Sequence, residues 1–209
     1  MRYKIEDIVA LIGARRYGNA EANIEWLLTD SRSLVFPETS LFFAIKTNIG
    51  DGHNYINELY KRGVRNFVVT KLPDKYDEKY PGTNFLYVID SRKALQRLSE
   101  RHREQYNIPI IGITGSNGKT IVKEWLNQLL QPVMNVTRSP RSYNSQIGVP
   151  LSVWLLDESS QIGVFEAGIS DPGEMDALRD IIQPTIGIMV NLGNAHQENF
   201  PDKEYAGKN

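Results

Sequence analysis

The 209-residue chain reads as an α/β protein with two units, a small α/β unit over residues 1–107 and a parallel-sheet unit over 108–209. Three observations predict this. Short apolar runs alternate with helical patterns from residue 108 onward, the signature of a parallel sheet with crossover helices. Four strand-like runs interrupted by a helix occupy the first ninety residues. A glycine-rich loop, Gly115-Ser116-Asn117-Gly118-Lys119-Thr120, follows one apolar run and opens one helical pattern.

The chain opens with Ile5, Ile8, Val9 and Ile12 on one helical face, a short amphipathic helix. Strands are expected at NIEWLLT, LFFAI, RNFVVT and FLYVI, with the helical stretch NYINELYKRG between the second and third, closed by Gly63. Asp90 or Ser91 caps a polar helix, SRKALQRLSERHREQY, which ends before Asn107 and Pro109 and bridges to the next unit. There, IPIIGIT, VMNVT, IGVFEA and TIGIMVN are the expected strands, and KTIVKEWLNQLL (119–130) is a helix. A further helix after VFEAGIS carries a start signal, with Asp171 as cap, Pro172 at the first position and Glu174 completing a capping box.

Between strand and helix, the backbone N–H groups of Gly115 to Thr120 and the positive end of the helix suit a polyphosphate. Lys119 would reach the β- and γ-phosphates and the Thr120 hydroxyl would hold magnesium. The usual phosphate loop has a glycine five residues before Gly118, where this chain has Ile113, so the loop is spaced differently. Glu166 ends the strand IGVFEA at the carboxyl edge of the sheet, where ligands of open α/β folds collect, and its carboxylate suits a metal or a metal-bound water. By residue type alone His196 is a surface or packing residue, and Asp30, Ser31 and Arg32 make a strand-end cap. His53 lies in a turn and His102 on a charged helix face.

Bulk properties exclude several classes. Hydrophobic residues at 41% and charged residues at 23% support a buried core rather than disorder. A net charge of -1 provides no basic field for nucleic acid or anionic membrane. The absence of cysteine excludes a disulfide scaffold, a thiolate metal site and a cysteine nucleophile. No apolar stretch approaches the roughly 20 residues that span a bilayer, and Glu6 and Asp7 argue against a signal peptide, so a cytoplasmic protein is expected.

TGSNGKT after an apolar strand resembles the Mur ligase superfamily of ATP-dependent amide ligases, and the resemblance covers nearly the whole chain. It continues through Thr29-Asp30-Ser31-Arg32, LFFAIK, Asp51-Gly52-His53, YNSQIGVP, FEAG and NLGNAH, in the family's order. NSQIGVP and NLGNAHQENF are most similar to the branch that adds D-alanyl-D-alanine; a fusion in which an alanine racemase domain follows is similar too, though nothing racemase-like is present here.

The resemblance implies a UDP-binding first unit, with Ser31, Arg32 and Lys46 contacting the UDP moiety, although the family's Lys-Gly is Lys46-Thr47 here. It implies ATP and Mg2+ as cofactors, Glu166 and His196 as magnesium ligands alongside Thr120, and Asn144 as a nucleotide or substrate contact. Where related ligases often carry a second asparagine, this chain has Ser145. The implied reaction joins UDP-N-acetylmuramoyl-tripeptide to D-alanyl-D-alanine through an acyl phosphate. A carbamylated lysine that the family places after the histidine motif would fall just past Asn209, so the chain is expected to be an inactive N-terminal piece lacking the C-terminal ligase domain. The alternatives are another Mur-type ligase adding an amino acid, and a non-catalytic nucleotide-binding module.

Overall fold

A computed structural model describes residues 2–48, 50–168 and 173–191. The chain divides into two compact units, Met1–Leu98 and Ser99–Asn209. The division falls inside a long helix, whereas the sequence reading set it at 107/108, after that helix.

In the first unit, β1 (Tyr3–Lys4) leads into α1 (Ile5–Ile12), which buries Ile5, Ile8 and Ile12 and is closed by Gly13 in the left-handed region. β2 (Arg15–Tyr17), β3 (Asn23–Ile24) and β4 (Trp26–Leu28) follow. The expected strand NIEWLLT is therefore two strands: β3 pairs with β1, and β4 with β5 (Ser40–Phe43). Glu25 and Trp26 both donate their N–H to Thr39 O, at 2.9 and 3.2 Å, so two residues oppose one and the strand bends there. A short hairpin of β6 (Lys46–Thr47) and β7 (Gly50–Asp51) precedes α2 (Ile56–Lys61) and β8 (Asn66–Val69). Then come α3 (Tyr76–Lys79), β9 (Asn84–Tyr87) and α4 (Ser91–Arg103).

The sheet order is β2-β9-β8-β5-β4, parallel except for the edge strand β2. Phe42, Phe67 and Phe85, one from each central strand, are fully buried and in ring contact across the sheet. β2 was not expected, because Arg-Arg-Tyr lacks an apolar pattern. It is held instead by Arg16, whose guanidinium donates to Asn84 Oδ1 at 2.9 Å and Ala20 O at 2.7 Å.

The second unit alternates strictly: β10 (Ile110–Thr114), α5 (Lys119–Leu130), β11 (Val136–Arg138), α6 (Gly148–Val153), β12 (Ile162–Glu166), α7 (Glu174–Ile182), β13 (Ile186–Met189). Among the described residues its four strands are all parallel, in the order β11-β12-β10-β13. Val149, Val153, Leu178 and Ile181 pack with Ile110 and Phe165 in one core, while Val122, Leu126 and Leu130 pack with Ile111, Ile113 and Val164 in another. Helices thus cover both faces, and the strand residues alternate between them. The register pairs Ile113 with Glu166, so β10 and β12 end level at the carboxyl edge. The expected cap residues Asp171 and Pro172 lie outside the described residues. α7 starts later than its capping-box reading, with Gly173 as N-cap at φ 78°.

Candidate functional site at the carboxyl edge of the second sheet

The loop leaving β10 takes its shape from two glycines. Gly115 has φ +127°, and a Cβ there would sit 2.8 Å from Asn191 O, so only glycine fits beside the chain leaving β13. Gly118, at φ +85°, is the N-cap of α5. Ile113, in place of the usual first glycine, is a fully buried strand residue, and the turn that the missing glycine would make is made by Gly115. Ser116 N donates to Asn191 O (3.0 Å) and Asn117 N to Asn191 Oδ1 (2.9 Å), which anchors the loop to the end of the neighbouring strand.

Lys119 folds back on this loop: its Nζ donates to Gly115 O at 2.5 Å and Ser116 O at 3.3 Å. Burial pushes the Lys119 ammonium below its ordinary pKa range, and the Glu166 carboxylate opposes that shift. Glu166 is fully buried at the end of β12, its own N–H bound to Ser139 Oγ. Thr120 Oγ1 donates to Glu166 Oε2 at 3.0 Å and lies 3.2 Å from Ser142 Oγ. Glu166 Oε1 is 3.0 Å from Lys123 Nζ, an ion pair without the angles of a hydrogen bond.

These groups surround a cleft of about 310 Å³, a volume suited to a small ligand. Ser116, Asn117, Gly118, Lys119, Thr120, Asn144 and Glu166 all line it, with Gly115 at the root of the loop. Seven residues expected from sequence thus meet in one place, although they come from three stretches of chain. Ile121 and Ser142 line it as well. Ser145 does other work: its Oγ accepts the Gly148 N–H at 3.1 Å, at the start of α6. His196 lies outside the described residues. Sequence reasoning missed Ser142, for which no signal existed, and Lys123. Lys123 follows Lys119 by four and shares the inward face with Leu126, a placement that helical phase gives but whose partner it does not.

In the first unit, Ser31 and Arg32 begin a 3-10 turn, Ser31–Ser33, capped by Asp30. Asp30 Oδ1 accepts the Arg32 N–H at 3.0 Å, and the Arg32 side chain pairs with the same carboxylate, holding it below its usual pKa. The strand-end cap read from residue type alone is therefore present. Ser31 is buried, while Arg32 and Lys46 are exposed, the latter on the β6–β7 hairpin.

Residues 113–207 match the model of the Mur ligase middle domain. The chain is 34% identical over 212 aligned positions to the UDP-N-acetylmuramoyl-tripeptide–D-alanyl-D-alanine ligase of Borreliella burgdorferi, covering 97% of this chain and 46% of that relative. A crystal structure of MurF from Acinetobacter baumannii superposes with TM-score 0.90 at 26% identity, over 100% of this chain and 45% of that one. This chain belongs to the Mur ligase superfamily. A second Mur ligase structure, MurF from Thermotoga maritima in complex with ADP, matches with TM-score 0.76 at 27% identity over 88% of the chain. This Mur ligase chain spans less than half the length of the relatives it matches. Among its described residues, no helix is long and apolar enough to cross a membrane.

Proposed function

We propose that this chain carries the UDP-substrate and ATP sites of a cytoplasmic ligase that joins D-alanyl-D-alanine to UDP-N-acetylmuramoyl-tripeptide, a step of peptidoglycan precursor synthesis. The observation that carries the reading is the cleft in which a glycine loop, Lys119, Thr120 and a buried Glu166 converge. The names of the relatives support the choice of substrates, and the ADP complex of the Thermotoga protein supports a nucleotide as ligand.

The chain's own groups suit each part of the task. Loop N–H groups and the N-terminus of α5 would hold the phosphates of ATP. The Lys119 ammonium would exchange Gly115 O and Ser116 O for β- and γ-phosphate oxygens, which are stronger, charged partners. The substrate carboxylate would attack the γ-phosphorus, giving an acyl phosphate and ADP. The dipeptide amine would then attack the acyl carbon, forming the amide and releasing phosphate. With one phosphoryl group moving between charged oxygens, catalysis here is mainly positioning and charge stabilisation.

Magnesium fits the donors. The single Thr120 hydroxyl hydrogen goes to Glu166 Oε2, an acceptor-only group, so the Ser142 hydroxyl must donate to Thr120 Oγ1, leaving one lone pair free for a cation. No group of three or more His, Cys, Asp or Glu clusters among the described residues. A few hard oxygen donors, completed by phosphate and water, suit Mg2+ rather than a metal that needs a full protein cage. Thr120 and Glu166 would hold it, with His196 as a further ligand by family resemblance. When bound, it would neutralise charge on the transferring phosphoryl group. Asn144 would contact nucleotide or substrate, and Ser31, Arg32 and Lys46 the UDP moiety.

The test is phosphate release by the protein that carries this chain. Release is expected only when ATP, Mg2+, UDP-N-acetylmuramoyl-tripeptide and D-alanyl-D-alanine are all present. Equal release with a free amino acid in place of the dipeptide would overturn the acceptor assignment.

A further inference from the structure

Lys123 and Glu166 both have fully buried side chains, 3.0 Å apart at Nζ and Oε1. A fully buried lysine is rare and needs a partner. As a stability device the pair is poor, because two apolar side chains of similar volume would serve as well or better. Its placement indicates another role. The same ammonium donates to Arg141 O and lies 3.3 Å from Glu124 Oε1, a carboxylate also held by Arg138 at 2.9 Å. Arg141 has φ +48°, a left-handed conformation uncommon for a non-glycine residue, and its carbonyl is the group that Lys123 grips. The next residue is Ser142, whose hydroxyl meets Thr120 Oγ1.

We infer that Lys123 is a positioning residue for the nucleotide–metal site, acting through Glu166 and the Arg141–Ser142 turn. Resting on the nucleotide reading of the cleft, the inference adds a residue that touches neither phosphate nor metal. By drawing Oε1 toward it electrostatically, the ammonium favours the carboxylate rotation in which Oε2 faces the Thr120 hydroxyl. By taking the Arg141 carbonyl, it sets Ser142 on the other side of the same hydroxyl. Thr120 is thereby oriented from two directions, with its remaining lone pair aimed at one point. Without Lys123 the carboxylate could rotate, and the turn would lose its tether.

The experiment is calorimetric titration of this chain with ADP, with and without millimolar Mg2+, giving the enhancement of affinity by the metal. Partners that orient a metal site from outside commonly change metal affinity by about 10- to 100-fold, so K123M is expected to reduce the Mg2+ enhancement about tenfold. Because Lys123 acts partly through Glu166 and partly through the Arg141 carbonyl, K123M added to E166Q is expected to reduce the enhancement by clearly less than the product of the two single losses. The double variant removes both buried charges, so it reports even if K123M alone fails to fold. A wild-type chain showing no ADP binding, or no Mg2+ enhancement, would overturn the nucleotide reading and this inference with it. Normal wild-type enhancement with no loss in K123M, tighter Mg2+-dependent binding in K123M, or an additive further loss in the double variant would overturn the inference alone.

Discussion

Lys119 and Lys123 lie one helical turn apart, yet one lines an open cleft and the other is sealed inside the unit. Among the described residues Lys119 hydrogen-bonds two backbone carbonyls, and Glu166 keeps Lys123 as its ion-pair partner, so removing Lys119 leaves no buried charge unpaired. Lys119→Ala is expected to weaken ADP binding at least about tenfold while changing stability by less than about 1 kcal/mol; calorimetry and urea unfolding check the two halves. Lys123→Met exposes a different physics, since it strands the Glu166 carboxylate in the interior. A loss of about 3 kcal/mol is expected in urea unfolding, largely recovered in Lys123→Met/Glu166→Gln. Gly115 is constrained by both its φ of +127° and the nearby Asn191 backbone. Gly115→Ala should therefore cost about 1–3 kcal/mol, measured the same way, with nucleotide binding impaired as the loop shifts.

At the scale of elements, α4 shows what a cap contributes. Asp90 Oδ1 accepts the N–H groups of Arg92 and Lys93, at 2.8 and 3.1 Å, and Ser91 Oγ donates to Ala44 O instead of capping. Asp90→Ala is expected to lower stability by about 1 kcal/mol, read from the urea midpoint. α5 presents Val122, Leu126 and Leu130 to the sheet while Ile121, Trp125 and Leu129 remain exposed. The helix is thus more apolar than one buried face requires. Its inward lysine was easy to overlook because Leu126 and Leu130 flank position 123 on one side of the helical wheel, so that side of the face reads as core.

At the scale of the whole molecule, pH sensitivity follows from one buried histidine in the second unit. His102, expected on a charged surface, is 1% exposed, with Nε2–H donating to Leu156 O at 2.9 Å and the ring against Trp154. Burial lowers its pKa to about 4. Above pH 6.5 the ring is neutral in both folded and unfolded chains, so it contributes no pH dependence there. Between about 6.5 and 4 the unfolded chain takes up a proton that the native one refuses, so stability falls as pH falls, by up to about 3 kcal/mol. Below about 4 both states bind the proton and this contribution levels off. Urea midpoints at pH 7, 5.5 and 4.5 check the slope. His102→Gln should remove most of the slope between about pH 6.5 and 5, while Glu6, Asp30, Asp51 and Asp157, whose carboxyls are held below their usual range, add their own loss of stability nearer the acid end.

The α/β class, the parallel sheet of the second unit and the glycine loop between its first strand and helix were legible in the chain because each rests on local pattern. α1 and α5 appear with the bounds their apolar periodicity predicts, and β10 and β12 lie within IPIIGIT and IGVFEA. Gly115 to Thr120 could be read as one loop between a strand and a helix because they are consecutive in the chain. Family resemblance, rather than periodicity, singled out Asn144, and it alone implies UDP contacts for Ser31, Arg32 and Lys46. What sequence could not decide are relations between distant stretches. The bend of NIEWLLT at Glu25 depends on where Thr39 arrives, and β2 exists only because Asn84 and Ala20 come within reach of Arg16. Lys123 was a helix residue until folding set it against Glu166, forty-three positions later and on another element. Electrostatic partners are chosen by proximity in space, and only the packed sheet, with β10 and β12 ending level, supplied that proximity.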